Sequence, residues 1–201
     1  MKGAAKAGGV FAVLFTLALL GLGDLLGSFA DSDRTFVDNF ADGATRATEI
    51  AGAYLLVLAG ASLVWLANAL AATIDRRRRT AIIITASLAA GGMIVAGLAL
   101  MTVPLTLSFA ELTDDTPFGA GQAVLPQFGA VALAVGAMLP AAAFVIVVAR
   151  TPILLPRWLS GAAYPVAALL LLALAVAPMF LFSVWIAAVS VTLWRHDAPT
   201  P

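Results

Sequence analysis

Long apolar runs that hold almost no charge dominate this chain and limit what it can fold into. Four of them occupy about residues 8–27, 49–74, 80–106 and 125–149, and a fifth continues without any charge over the 36 residues 159–194. A helix of about 20 apolar residues crosses the roughly 30 Å hydrocarbon core of a bilayer. Because 62% of the 201 residues are apolar and only 11% are charged, we predict an all-α integral membrane helix bundle that forms one domain over residues 1–201.

The fifth run is too long for a single membrane helix, since 36 helical residues would extend about 54 Å. Pro178 lies near its middle, and a proline inside a helix kinks or ends it. If the chain reverses there, Trp158 and the pair Trp194-Arg195 return to one membrane interface, where Trp and cationic residues concentrate. We therefore predict six transmembrane helices, with the last two at about 159–177 and 179–194. The alternative is five, the last long and kinked at Pro178.

Lysine and arginine are distributed unevenly over the predicted loops. If six spans follow a cytoplasmic N-terminus, nine of the eleven basic residues lie on the cytoplasmic side and only Arg34 and Arg46 lie outside. Cytoplasmic loops retain positive charge, so both termini are predicted to be cytoplasmic. The excess of nine Arg over two Lys favours a GC-rich bacterial source and hence the inner cell membrane. The cytoplasmic set includes four arginines that are candidate contacts for anionic lipid headgroups, although topology alone also explains them: Arg76, Arg77, Arg78 and Arg79.

The first apolar run allows a second interpretation. Lys2 and Lys6 precede it, and Ser28-Phe29-Ala30 has the small-x-small pattern of a secretory signal cleavage site. Because further spans follow, we expect the run to be retained as the first membrane helix.

The predicted outer loop, residues 28–48, holds four aspartates in a pattern that invites comparison with a calcium-binding loop: Asp31, Asp33, Asp38 and Asp42. Counted from the first of them, Phe36 stands where such a loop needs glycine, so the comparison fails. A short amphipathic helix over about 33–42 is the better interpretation, because apolar residues recur at helical spacing and Gly43 can end it. We expect this helix to lie on the outer interface or to cover the mouth of the bundle.

Polar groups within the predicted spans are few. Asp24 lies near the outer end of the first span, and Glu49 lies at the outer start of the second. These two carboxylates could form a proton or cation site, or Asp24 could pair with Arg46. They could also remain solvated at the interface. Asn68 lies deeper in the second span and could hydrogen bond to hydroxyl groups of the first and third spans. Asp24, Glu49 and Asn68 are the candidate polar or transport positions.

The composition excludes several classes of chemistry. The chain has no cysteine and one histidine, His196, so thiolate catalysis, iron–sulfur clusters and cysteine zinc sites are absent. The net charge of zero argues against a nucleic-acid partner. We predict no catalytic residue, no cofactor and no metal site. The pair Asp114-Asp115 in the second outer loop could act as acid and base on a lipid, although a solvated loop also explains it.

Several short segments of the sequence are similar to segments of a known group of proteins. They are Gly23-Asp24-Leu25-Leu26-Gly27, Phe36-Val37-Asp38, Leu155-Pro156-Arg157-Trp158-Leu159, Trp185 and Trp194-Arg195. With these segments, most of the chain resembles domain-of-unknown-function family 4386, a group of bacterial membrane proteins of about this length. The resemblance implies about six spans. It implies no activity, and therefore no catalytic or cofactor-binding residue.

Taken together, these patterns predict a non-enzymatic structural or accessory component of the cell membrane. Its expected partners are membrane lipids, with another membrane protein or a second copy of the chain as further candidates. Two alternatives remain open: a small transporter or channel for a neutral or weakly charged solute, and a lipid-acting membrane enzyme.

Overall fold

The computed structural model describes residues 2–22, 42–113, 120–151, 155–172 and 176–196, and all regular structure within these ranges is α-helical. The helices are α1 (Lys2–Gly21), α2 (Gly43–Ala71), α3 (Arg76–Leu100), α4 (Thr102–Thr113), α5 (Ala120–Gly136), α6 (Met138–Ala149), α7 (Arg157–Leu171) and α8 (Val176–His196). The predicted all-α helix bundle is confirmed. Within the described ranges, five segments are long and apolar enough to cross a membrane: Lys2–Gly21, Gly43–Ala71, Arg76–Ala110, Phe128–Ala149 and Pro178–Arg195.

Two prolines interrupt helices that otherwise continue. Pro104 has no N–H to donate to the carbonyl four residues earlier, and the break between α3 and α4 falls at Met101, within that turn. The Met101 N–H still donates to the Gly97 carbonyl oxygen, so the helix resumes at once. Pro140 has the same effect at Ala137, between α5 and α6. Each pair, α3–α4 and α5–α6, therefore forms one bent helical segment.

Close approaches at glycines fix the first three helices as antiparallel neighbours. A Cβ atom built on Gly52 of α2 would lie 3.1 Å from the carbonyl carbon of Gly21, at the end of α1. A Cβ atom on Gly97 of α3 would lie 2.7 Å from the carbonyl oxygen of Ala53 in α2. Such contacts are available only to glycine, and they let helix backbones approach closely.

The remaining contacts close these helices into a ring. Gly92 of α3 packs against Ala137, at the start of α6, and α6 packs against α7. At the other side of the ring, Gly8 near the start of α1 packs against Ser190 near the end of α8. Since α7 also packs against α8, the order around the ring is α1, α2, α3–α4, α5–α6, α7 and α8.

The last two helices form a hairpin. The Trp185 indole N–H of α8 lies 3.4 Å from the Leu159 carbonyl oxygen in the first turn of α7. Even in a helix kinked at Pro178 the backbones of these residues would stay at least about 18 Å apart, so the single long kinked helix is wrong. With 15 residues, α7 is shorter than the five segments that are long enough to be candidate spans. The reversal falls earlier than Pro178, because α7 ends at Leu171 and α8 begins at Val176. Pro178 lies in the first turn of α8, where a helix needs no N–H from it.

The second helix begins earlier than the sequence suggests. Asp42 is the N-cap of α2, and its carboxylate accepts hydrogen bonds from the N–H groups of Ala44 and Thr45. Gly43 therefore starts α2 instead of ending an outer-loop helix, which corrects that part of the prediction. The expected helix over 33–42 otherwise lies outside the described residues.

The ring has an apolar inside and an apolar outside. Its largest fully buried side chains include Phe11, Phe15, Phe144 and Phe182. Large apolar side chains also cover the outer surface, among them Leu20 at 64% exposure. A soluble protein rarely exposes apolar surface on this scale, whereas helices surrounded by lipid require it.

Candidate functional site

The antiparallel ring brings nine of the ten described cations to one end of the molecule. At this end, which we call the basic end, α1, α3 and α7 begin and α2, α6 and α8 finish. The basic end carries nine exposed cations: Lys2, Lys6, Arg76, Arg77, Arg78, Arg79, Arg150, Arg157 and Arg195. Among the described residues its one carboxylate is Asp75, which makes no side-chain cap to α3. The sequence places Asp197 here as well, outside the described residues.

One arginine of the basic end is held by a neighbouring helix. Arg78 donates from Nη1 to the carbonyl oxygen of Arg150, the residue that caps the C-terminus of α6, at 3.3 Å. Carbonyl groups at a helix C-terminus have no partner within the helix and carry partial negative charge, so a guanidinium group is favourable there. This contact joins α3 to α6 and ties Arg78 to the connection that leads to Arg157 in α7.

Two charged side chains near the opposite end are buried. Arg46 and Glu49 lie one turn apart in α2 and are 7% and 5% exposed. They share the face of α2 that carries Gly52, against which the end of α1 packs. The sequence identified Glu49 as a candidate but placed Arg46 among the loop residues. Its burial follows from the early start of α2, which the sequence pattern did not indicate.

The three candidate transport positions do not form one site in the described residues. Asp24 lies outside them, and so does the pair Asp114-Asp115. Glu49 is buried, whereas Asn68 is exposed on the outer surface and donates to the Val64 carbonyl oxygen of its own helix at 2.9 Å. The expected hydrogen bond from Asn68 to a neighbouring span is therefore wrong. Nineteen residues of helix, about 28 Å, separate Asn68 from Glu49.

The polar contacts inside the ring come from residues that were not among the predicted candidates. Thr16 donates to Ser183 Oγ, while the buried hydroxyls of Ser62 and Ser190 donate to the carbonyl oxygens of Ala59 and Ile186 in their own helices. Ser183 and Ser190 are seven residues apart on α8, a spacing that places both on one helical face. That spacing is the signal that could have identified this face as the side toward α1.

A small, partly open apolar cavity of about 30 Å³ lies between the helices. It is lined by five of the six helical segments, and every lining side chain is apolar: Phe15, Leu19, Leu22, Leu56, Met93, Leu100, Val131, Ala134, Met138 and Met179. Water needs two to four polar partners to remain in a cavity, so this one has no means of holding it. Neither of the two described candidates, Glu49 and Asn68, lines it.

A larger groove opens sideways between the two proline-bent segments. Its volume is about 950 Å³, and it is bordered by Leu88 and Gly92 of α3 and by Leu133, Gly136 and Leu139 of α5–α6. Thr102 adds a hydroxyl group to a lining that is otherwise apolar. The groove therefore faces the surface that lipid or a neighbouring helix would cover.

The fold defines the class of protein. It is an all-α bundle whose helices have the lengths and compositions of membrane-spanning helices. Comparisons of the chain with protein-family models, with curated proteins and with solved structures found no match. The similarity to domain-of-unknown-function family 4386 therefore stays a prediction. No group of three or more His, Asp or Glu residues within the described ranges could hold a metal ion.

Proposed function

We propose that this protein is a multi-pass structural or accessory component of a bacterial inner membrane, without enzymatic activity, and that its basic end faces the cytoplasm. The observation that carries the proposal is that nearly all buried side chains of the described residues are apolar. A path for a polar solute needs polar groups or water along its length. In the described residues, buried phenylalanines and the apolar cavity occupy that position instead.

The orientation follows from the positive-inside rule. Nine exposed cations at one end, six of them in or beside short connections, are what cytoplasmic loops of membrane proteins carry. The exposed indoles of Trp158 and Trp194 support the placement of the basic end at a membrane interface, because Trp concentrates at both interfaces. With α7 and α8 as a hairpin, both termini are on this side.

Single-cysteine labelling tests the orientation, and the chain has no cysteine of its own to interfere. Leu172→Cys places a thiol at the end of the hairpin, while Arg157→Cys and Arg195→Cys place thiols at the basic end. A membrane-impermeant maleimide should label Leu172→Cys in intact cells and the other two only after the cells are opened. Labelling of the Arg195→Cys protein from outside would contradict the proposed orientation.

A second candidate function, a small transporter for a neutral or weakly charged solute, is favoured by the burial of Arg46 and Glu49. Swelling of proteoliposomes in glycerol or urea distinguishes the two functions. For a structural component, the swelling rate should equal that of protein-free liposomes. A faster rate that is lost in the Glu49→Gln protein and retained in Asn68→Ala would favour the transporter instead.

A further inference from the structure

Three arginines from different parts of the sequence lie at the basic end, at the junction where α6 packs between α3 and α7. Arg78 lies in the first turn of α3, Arg150 follows α6, and Arg157 opens α7. The hydrogen bond from Arg78 to the Arg150 carbonyl oxygen brings the first two together, and residues 151–156 connect Arg150 to Arg157. We propose that this junction binds the headgroup of an anionic phospholipid, with the three guanidinium groups on its phosphate.

Charge complementarity is the first argument for this occupant. All three guanidinium groups are exposed, and within the described residues no carboxylate forms an ion pair with any of them. Arginine presents five N–H donors in a planar fork that matches two phosphate oxygens at once. The contact with the Arg150 carbonyl uses one nitrogen of Arg78 and orients its guanidinium group. The other N–H donors of that group remain available to a phosphate.

Depth in the membrane is the second argument, and it selects a lipid over a soluble anion. Trp158, adjacent to Arg157, is 65% exposed, and Trp194 at the end of α8 is 52% exposed. Exposed indoles at the ends of membrane helices lie at the level of the headgroups. The three arginines lie at the same end of the bundle as these indoles. A phosphate that they bind is therefore expected to be one already held in the headgroup layer.

Equilibrium binding tests the site on the full-length protein in a neutral detergent. The protein is titrated with phosphatidylglycerol or with zwitterionic phosphatidylcholine, and binding is followed by thermophoresis. Each cation near an anionic headgroup contributes about fivefold in affinity. We expect phosphatidylglycerol to bind at least about tenfold more tightly, and the Arg78→Gln/Arg150→Gln/Arg157→Gln protein to lose most of that preference. Equal affinity for the two lipids would overturn the proposal.

A matched control variant distinguishes binding at one site from general attraction by the positive charge at this end. The control, Lys2→Gln/Lys6→Gln/Arg195→Gln, removes the same charge from the same end but from α1 and α8. It should cost less than about fivefold in affinity, whereas Arg78→Lys, which keeps the charge but loses the planar fork, should cost at least about threefold. Equal losses in the two triple variants would mean that any cation at this end serves, and would refute a localised site.

Two further experiments distinguish a lipid phosphate from a free phosphate and test the membrane location of the protein. Excess inorganic phosphate should leave phosphatidylglycerol bound, and displacement by phosphate would assign the junction to a soluble anion. This inference rests on the proposed membrane location of the protein. Resistance of the protein to alkaline extraction from membranes measures that location separately, and the thermal unfolding temperature of each variant shows that a lost affinity is not a lost fold.

Discussion

Thr16 in α1 donates its hydroxyl group to Ser183 Oγ in α8 at 3.0 Å, and Ser183 donates its own hydroxyl to the Phe180 carbonyl oxygen at 2.8 Å. The two residues are 167 positions apart, so this contact joins the first described helix to the last. Ser183 is buried, and Thr16 is partly buried. The hydrogen bond therefore fixes the register at which α8 closes the ring onto α1.

Removing either hydroxyl should weaken the closure of the ring. Thr16→Val and Ser183→Ala are each expected to destabilise the protein by about 1 kcal/mol, and the coupling energy of the pair should be about 0.6 kcal/mol. The measurement is a double-mutant cycle, with unfolding followed by circular dichroism in mixed micelles. Thr192→Val is the control, because its hydroxyl donates to Ala188 in the same helix. A coupling energy of zero would contradict the role of this hydrogen bond.

Two glycines of α3 should respond in opposite ways to the same substitution. A methyl group on Gly97 would meet the Ala53 carbonyl oxygen at 2.7 Å and Val57 at 2.8 Å, and backbone cannot move aside without separating α2 from α3. Gly97→Ala is therefore expected to cost about 1–3 kcal/mol. Gly91 has nothing within 4 Å of the same position, so Gly91→Ala should stabilise the helix by up to about 1 kcal/mol. Similar unfolding free energies for the two variants would contradict the close packing of α2 on α3.

The apolar runs were sufficient to predict the helices, because length and hydrophobicity decide which segments can cross a bilayer. The hairpin followed from Trp158 and Trp194, which need a common interface. The position of the turn could not be predicted in the same way. A proline suggests a helix break in the sequence whether it lies inside a helix or in the first turn of one. Pro178 occupies the first turn, and Pro104 and Pro140 bend helices that continue.

The partners of individual side chains were less predictable, because they depend on rotation of each helix about its axis. Gly92 meets Ala137, whereas its neighbour Gly91 meets nothing. Asn68 faces outward for the same reason, although its depth in the span suggested a buried partner. The average polarity of α2 does not indicate how this helix is rotated about its axis. The packing of Gly52 and Gly60 on the adjacent helices defines that rotation.

The aromatic cluster between α1 and α8 should be a main source of packing stability. The Phe182 ring makes edge-to-face contacts with Phe11 at 5.3 Å and with Phe15 at 6.0 Å between ring centroids. Phe182→Ala removes both contacts and leaves a cavity, so the free energy of unfolding should fall by about 3 kcal/mol or more. Leu181→Ala, one residue earlier and 39% exposed, is the control and should cost clearly less. Equal losses would show that the ring is not packed through this cluster.

The N-cap of α2 gives the protein a specific acid sensitivity. Hydrogen bonds from the N–H groups of Ala44 and Thr45, and then from the Thr45 hydroxyl, hold the pKa of Asp42 below its ordinary value of 3.8. Because the folded state lowers this pKa, the stabilisation is present above 3.8 and is lost as the pH falls through the lower value of the folded protein. Asp42→Ala should therefore be less stable than the parent protein at neutral pH, with a difference that shrinks in acid.

The Asp42→Asn variant isolates the charge from the hydrogen bonds at the same position. Its amide side chain retains an oxygen that accepts from the first turn of α2 but has no proton to gain, and asparagine is as good an N-cap as aspartate. Unfolding free energies measured between about pH 6 and about pH 3 should show a constant gap between Asp42→Asn and Asp42→Ala. The gap between the parent protein and Asp42→Ala should narrow over the lower part of that range. If the parent and Asp42→Asn proteins follow the same pH dependence, the carboxylate at the start of α2 does not titrate with folding, and the acid sensitivity has another source.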